Sequence, residues 1–258
     1  MNLAAIDVSI LAPAFLAGLL VLATHVPLGA QVLRKGIVFI DLAIAQIAAL
    51  GVILAGMLEL SANGWQVQAA AAAAAVSGAL LLDWTERRWP AVQEAQIGVV
   101  FVLAATAGIL LLSKNPHGGE HLRDLLAGQI LWVSYDRLVI PAVASLAIVA
   151  LWFTLQERFS QRAFYLLFAL AVTVSVQLVG VYLVFATLIV PSLGARGHPE
   201  PRRLALAYAI GVGGFGLGLV LSAALDLPSG ALIVWCLALL AVAAHAAAPR
   251  AVAAPLRA

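Results

Sequence analysis

The feature that most constrains this chain is a succession of long apolar blocks, each cut off by a short polar break. A helix needs about 20 apolar residues to cross the hydrocarbon core of a bilayer, where its backbone polar groups must be satisfied internally. The blocks predict helices over 9–31, 37–58, 66–83, 97–113, 138–156, 163–180, 182–193, 204–224 and 229–247. The stretch 163–193 reads equally as two short segments meeting near Gly180 or as one long tilted helix, giving nine or eight crossings. The expected fold is an all-α, polytopic integral membrane protein, with 1–258 forming a single transmembrane domain. Composition excludes the soluble alternative. Only 10% of residues are charged and 64% are hydrophobic, whereas a soluble domain carries about 25% charged residues to cover its surface. The strand-length alternation of an outer-membrane barrel is absent.

A net charge of +2 and a pI near 9.0 could suggest nucleic acid as a partner. The basic residues, however, sit in small groups at the ends of apolar blocks and form no stripe, so no nucleic-acid partner is expected. Their placement reports orientation instead, because short cytoplasmic loops are enriched in Lys and Arg. Assigning Arg34/Lys35, Arg87/Arg88, Arg158/Arg162, Arg196/Arg202/Arg203 and Arg250/Arg257 to the cytoplasm puts 11 of the 14 basic residues on one side. Lys114, Arg123 and Arg137 remain outside. This predicts an external N-terminus, a cytoplasmic C-terminus and an odd number of crossings. The start MNLAAIDVS lacks the basic residues of a signal peptide, so the first block is expected to persist as a helix.

Trp65, Trp84, Trp89 and Trp152 fall at predicted helix ends, as interfacial anchors do. Gly214 and Gly218 make a small-xxx-small pair that lets two backbones approach, either within the bundle or between subunits. Cys236 has no partner thiol, which leaves neither an intrachain disulfide nor a multi-thiolate metal site.

Several chemistries are missing. No G-x-x-x-x-G-K-[ST] loop is present to cradle a nucleotide, and neither G-x-S-x-G nor His-Glu-x-x-His occurs. The chain reads as a transport component without its own nucleotide site, not an enzyme. Asp41 is the main intramembrane charge. A carboxylate in the middle of a spanning helix costs about 2.5–3.5 kcal/mol on insertion scales, so it should face the bundle interior. His25 lies nine residues before Arg34 and Asp41 six after Lys35. At ~1.5 Å per residue these sit roughly 13 Å and 9 Å above the turn and could meet. The pair would offer oxygen and imidazole to a divalent cation, or simply hold two helices together. Gln46 lies near the middle of the same helix, about 140° around from Asp41, and either lines a cavity or cross-links helices; Gln177 carries the same ambiguity. In the loop NPHGGEH, His117, Glu120 and His121 form a metal-like set, although Gly118 and Gly119 argue against a stable helix and an ordinary polar loop would look the same. After Pro191, which is expected to break its helix, Arg196, Arg202 and Arg203 mark a cytoplasmic segment suited to an amphipathic partner contact.

RKGIVFIDLAIAQIAALGV (Arg34–Val52) resembles the second-helix signature of the zinc/manganese/iron ABC importer permeases. GVYLVFATLIVP (Gly180–Pro191), LLAGQILWV (Leu125–Val133) and DLPSG (Asp226–Gly230) are similar to further landmarks of that family, in the same order. The resemblance implies a permease, homodimeric or paired, in the bacterial inner (plasma) membrane. It implies a cytoplasmic ABC ATPase bound through short coupling helices and an extracytoplasmic metal-binding protein that delivers the ion. It also implies that the region of Asp41 lines the path. The metal would be the substrate, with no cofactor bound permanently. Typical members carry an acid and a His four apart in the second helix; here Ala45 stands four after Asp41, and Gln46 stands about where the His is expected. His25 is then the candidate to supply the missing imidazole. The rival readings are a permease for a chelated metal, such as a siderophore or haem, and a gradient-driven transporter. The latter would show paired broken helices, and Gly180 is the single candidate break.

Overall fold

A computed structural model describes residues 8–58, 65–112, 130–155 and 161–248. The described residues form nine α-helices and no strand: α1 (Val8–Lys35), α2 (Ile40–Met57), α3 (Trp65–Arg88), α4 (Gln93–Leu112), α5 (Tyr135–Leu155), α6 (Gln161–Val179), α7 (Val181–Ala195), α8 (Glu200–Leu225) and α9 (Ser229–Ala246). Single 3-10 turns at Pro90–Val92 and Ile130–Trp132 precede α4 and α5. Eight of the helices are long and apolar enough to cross a membrane. The ninth, α7, has 15 residues; at ~1.5 Å per residue it falls short of a ~30 Å hydrocarbon core.

Every predicted block is a helix. The helices run further into the charged breaks than hydropathy suggests, because the final turns lie beyond the apolar run and are stabilised differently. Arg34/Lys35 close α1 and Arg87/Arg88 close α3, where cations complement the partial negative charge of a helix C-terminus. Of the two readings of 163–193, the broken one is correct: Gly180 adopts φ 81° and ψ 164° and separates α6 from α7. That left-handed φ is accessible to glycine without the steric penalty of a Cβ. Pro191, expected to end its helix, instead lies inside α7, which continues to Ala195. The ring removes one backbone donor, a loss that packed membrane helices tolerate. Trp152 is also not an anchor; it is 6% exposed and packs against Phe164, with ring centroids 6.3 Å apart.

The helices pack as two groups. One comprises α1, α7, α8 and α9; the other comprises α2, α3, α4 and α6, with α5 leaning on α1 and α6. Helices α1 and α2 diverge immediately after their shared turn and hardly touch. Small residues set the closest contacts. Gly211 faces Leu22 of α1 and Gly18 faces Phe215, while Gly214 and Gly218 face Leu237 and Ile233 of α9. The small-xxx-small pair is thus used within the chain, and α8 runs antiparallel to both α1 and α9. A Cβ on Gly29 would collide with the backbone carbonyl of Leu188, so α1 and α7 cross in near backbone contact.

These directions gather the basic connections at one end. Lys35 pairs with Glu86 beyond the α1–α2 turn, Arg162 reaches Asp83, and Gly197, between α7 and α8, lies against Ala248. The α8–α9 connection lies at the opposite end.

Candidate functional site

Asp41 occupies the first turn of α2, and Phe39, the cap residue, supplies no side-chain hydrogen bond there. Because residues 36–39 form a turn, Asp41 is only the second residue of α2, and it sits closer to the basic end than the 9 Å reading of the sequence implied. It is 0% exposed, and neither carboxylate oxygen has a hydrogen-bond partner among the described residues. A negative group so near a helix N-terminus is favoured by the free N–H groups of the first turn. Nothing else in the described structure offsets its burial.

His25 is also fully buried, in the middle of α1. Its Nδ1 lies 3.1 Å from the Val21 carbonyl and 2.9 Å from the Thr24 hydroxyl. A proton on Nδ1 donated to that carbonyl leaves Nε2 with a lone pair, and Nε2 has no partner. The hydrogen bond anticipated between His25 and Asp41 is not formed. The reason is the divergence of α1 and α2: the two residues belong to different helix groups, and similar depth does not bring them into contact. Gln46 is buried along α2 at 7% exposure, and Gln177 in α6 leaves its Nε2 unpartnered. No three His, Cys, Asp or Glu side chains cluster among the described residues. His117, Glu120 and His121 lie outside the described residues.

A second polar cluster, at the basic end, shows the opposite character. Asp83 is 2% exposed; Oδ1 accepts from Arg87 at 3.0 and 3.2 Å, and Oδ2 lies 3.4 Å from Arg162 Nε. The Tyr165 hydroxyl donates to Glu86 at 2.5 Å, and Gln93 Nε2 donates to the Leu82 carbonyl and the Tyr165 oxygen at 3.0 and 3.2 Å. Thr85 donates to Gln93 Oε1 at 3.1 Å, and Lys35 lies 3.8 Å from Glu86 and 5.3 Å above the Phe164 ring. The Phe39 N–H donates to Glu94 at 3.3 Å. This cluster ties α1, α3, α4 and α6 together. Sequence reading placed Asp83 at the end of the predicted 66–83 block and gave no role to Asp83, Glu86, Gln93 or Tyr165, since their partners are up to 79 positions away.

The arginines of the α7–α8 connection divide. Arg203 is occupied by the His198 carbonyl and Glu200, both at 2.6 Å, and braces the start of α8. Arg196 and Arg202 are exposed. No separate helix forms between them; a tight turn leads from α7 into α8, with Pro199 as its cap.

Taken together, these helices define a multi-pass membrane protein with unpartnered polar groups inside its bundle. Residues 7–164 and 154–248 match the ABC 3 transport family, and the chain belongs to that family. Over 177 residues it is 29% identical to an uncharacterized membrane protein of Synechocystis sp., covering 60% of this chain and 63% of that protein. Over 184 residues it is 26% identical to a membrane protein assigned to a metal transport system in Chlamydia trachomatis, covering 63% of each. The chain thus spans 63% of the length of these curated relatives. Its fold is similar to that of PsaBC from Streptococcus pneumoniae, solved in complex with Fab, with a TM-score of 0.75 at 20% identity over 94% of this chain and 91% of that one. It is also similar to a protein described as a metal-chelate type ABC transporter in an inward-facing conformation, with a TM-score of 0.71 at 16% identity over 90% and 84% of the two chains.

Proposed function

We propose that this chain is the membrane-spanning permease subunit of an ABC importer for a divalent metal ion, namely zinc, manganese or iron. A separate ATPase subunit drives alternating access, and an extracytoplasmic binding protein delivers the ion. The observation that carries the reading is Asp41, fully buried and without a partner, in the segment that resembles the second-helix signature of metal importer permeases. A carboxylate is expensive inside a membrane protein unless a cation or proton compensates it. Family membership and the assignment of the Chlamydia relative to metal transport support the same reading.

In this mechanism the ion passes Asp41, the free Nε2 of His25 and the amide of Gln46. Oxygen and imidazole donors suit all three metals, and so sparse a set binds weakly enough to release the ion. Arg196 and Arg202, exposed at the basic end, contact the ATPase, while Arg203 holds the turn that presents them. The permease works as a homodimer in a bacterial plasma membrane, with its basic end in the cytoplasm. A second reading, a permease for a chelated metal, draws on the similarity to the metal-chelate type transporter.

The test is uptake of radiolabelled zinc, manganese and iron in cells expressing the chain together with an ABC ATPase and a metal-binding protein from the same genome. Asp41→Asn is expected to abolish uptake while leaving membrane insertion intact; unchanged uptake would overturn the pathway role. Uptake of a chelate in preference to the free ion would favour the second reading.

A further inference from the structure

Neither carboxylate oxygen of Asp41 has a hydrogen-bond partner among the described residues, so no hydrogen bond of its own fixes where it stands. Its position is inherited from the first turn of α2, and that turn begins without the usual support. A helix commonly starts on Ser, Thr, Asp or Asn, whose side chain accepts from an early backbone N–H. The residue at that place here is Phe39, which makes no side-chain cap.

Two other helices hold Phe39 instead. Its N–H donates to Oε1 of Glu94, 3.3 Å away in the first turn of α4 and 55 positions later in the chain. Its ring stacks on Phe185 of α7, with centroids 6.4 Å apart and planes within 3° of parallel. Helix α4 belongs to the same group as α2 and α7 to the other, so Phe39 is gripped from both groups. The Phe39 carbonyl in turn accepts the N–H of Ala43 at 3.2 Å, across the turn that contains Asp41. Among the described residues the Glu94 carboxylate makes no other hydrogen bond, and its Oε2 is buried without a partner. Such a bond to an ionised acceptor is stronger than one between neutral groups.

We propose that Glu94 is a positioning residue for the ion path: through the Phe39 N–H, and with Phe185 against the Phe39 ring, it sets where the Asp41 carboxylate meets the ion. The inference rests on the reading of Asp41 as a pathway residue. A displaced Asp41 captures the ion less well, which raises the apparent KM. Loss of folded molecules lowers Vmax and leaves KM alone, so the two effects separate.

The test measures uptake against concentration in the assembled importer, with whichever radiolabelled free ion among zinc, manganese and iron the wild type takes up. Glu94→Ala is expected to raise the apparent KM about tenfold, with Vmax per folded molecule within about twofold of wild type. Glu94→Gln keeps a carbonyl that accepts the same N–H and is expected to hold KM within about twofold. Phe185→Leu keeps the bulk, removes the stacked ring and is expected to raise KM about threefold; it decides the matter if Glu94→Ala does not fold. Hydrogen exchange on the purified full chain supplies a readout that needs no transport. Exchange at the start of α2 should quicken about threefold in Glu94→Ala and stay at the wild-type rate in Glu94→Gln. Unchanged exchange in Glu94→Ala would overturn the clamp even if the wild type carried no metal, an outcome that would by itself remove the pathway reading. A wild-type KM in the alanine and leucine variants would overturn the positioning role. An equal rise in KM in Glu94→Gln and Glu94→Ala would overturn it too, because the charge and not the hydrogen bond would then matter.

Discussion

Asp83 and Asp41 are both acids almost wholly withdrawn from the surface, yet they sit in opposite electrostatic situations. Asp83 meets two guanidinium groups, which are themselves about half exposed, and belongs to a cluster in which Glu86, Gln93, Thr85 and Tyr165 also have partners. Asp41 has no hydrogen-bond partner among the described residues. The first arrangement fixes the relative positions of helices, since every donor and acceptor added to such a network restrains another element. The second fixes nothing. A buried charge that stabilises no contact of the resting protein points to something that arrives later. Under the proposed function, the difference separates scaffold from pathway.

The comparison can be broken at either end. The largest effect is expected from Asp41→Asn, which should reduce metal uptake more than a hundredfold with unchanged membrane abundance and thermal midpoint; a drop in abundance matching the loss of uptake would make Asp41 another scaffold residue. His25→Ala should lower uptake about tenfold. Thr24→Ala, which removes a neighbour of Nδ1 and leaves Nε2 free, should lower it less than twofold in the same assay. For Asp83→Asn the expectation is reversed. Uptake per folded molecule should stay within about twofold of wild type, while stability falls by about 1 kcal/mol, modest because the arginines are solvent-screened; a thermal melt in detergent measures it. The smallest change in uptake is expected from Tyr165→Phe, which removes the hydrogen bond to Glu86 and the one from Gln93, each worth about 1–2 kcal/mol of stability, and should leave uptake untouched.

Much of the fold was legible because hydropathy is a local property. Each of the nine apolar blocks became a helix, and Gly180 was visible as a break between two short runs. What hydropathy could not supply was which helices pack together. The expected His25–Asp41 contact rested on treating α1 and α2 as a packed hairpin, and their divergence is decided by α6 and α7, which touch both. Trp152 misled for a similar reason, since its position in the chain suits an anchor and only Phe164, from another helix, shows that it is core. Of the site, the individual residues Asp41 and His25 could be picked out as costly charges or ligands. The Asp83–Tyr165 cluster could not, because Gln93 and Tyr165 look ordinary until the chain brings them together.

The turn that separates α1 from α2 has a mechanical consequence. Gly36 at φ 73° and Gly180 at φ 81° are the described glycines with positive φ, and each lies at a point where the chain passes from one helix group to the other. Rotation of one group against the other would concentrate its change in backbone angle at these two pivots, since the helices on either side are stiff. His25 and Asp41 ride on opposite sides of the Gly36 pivot, so the same rotation would alter their separation. Nothing lies within 4 Å of a Cβ built on Gly36, so Gly36→Ala meets no neighbour, but at φ 73° the added Cβ strains the turn itself and biases the joint away from this conformation. Spin labels on α1 and α2 should then report distances through the nucleotide cycle that are shifted from those of the wild type.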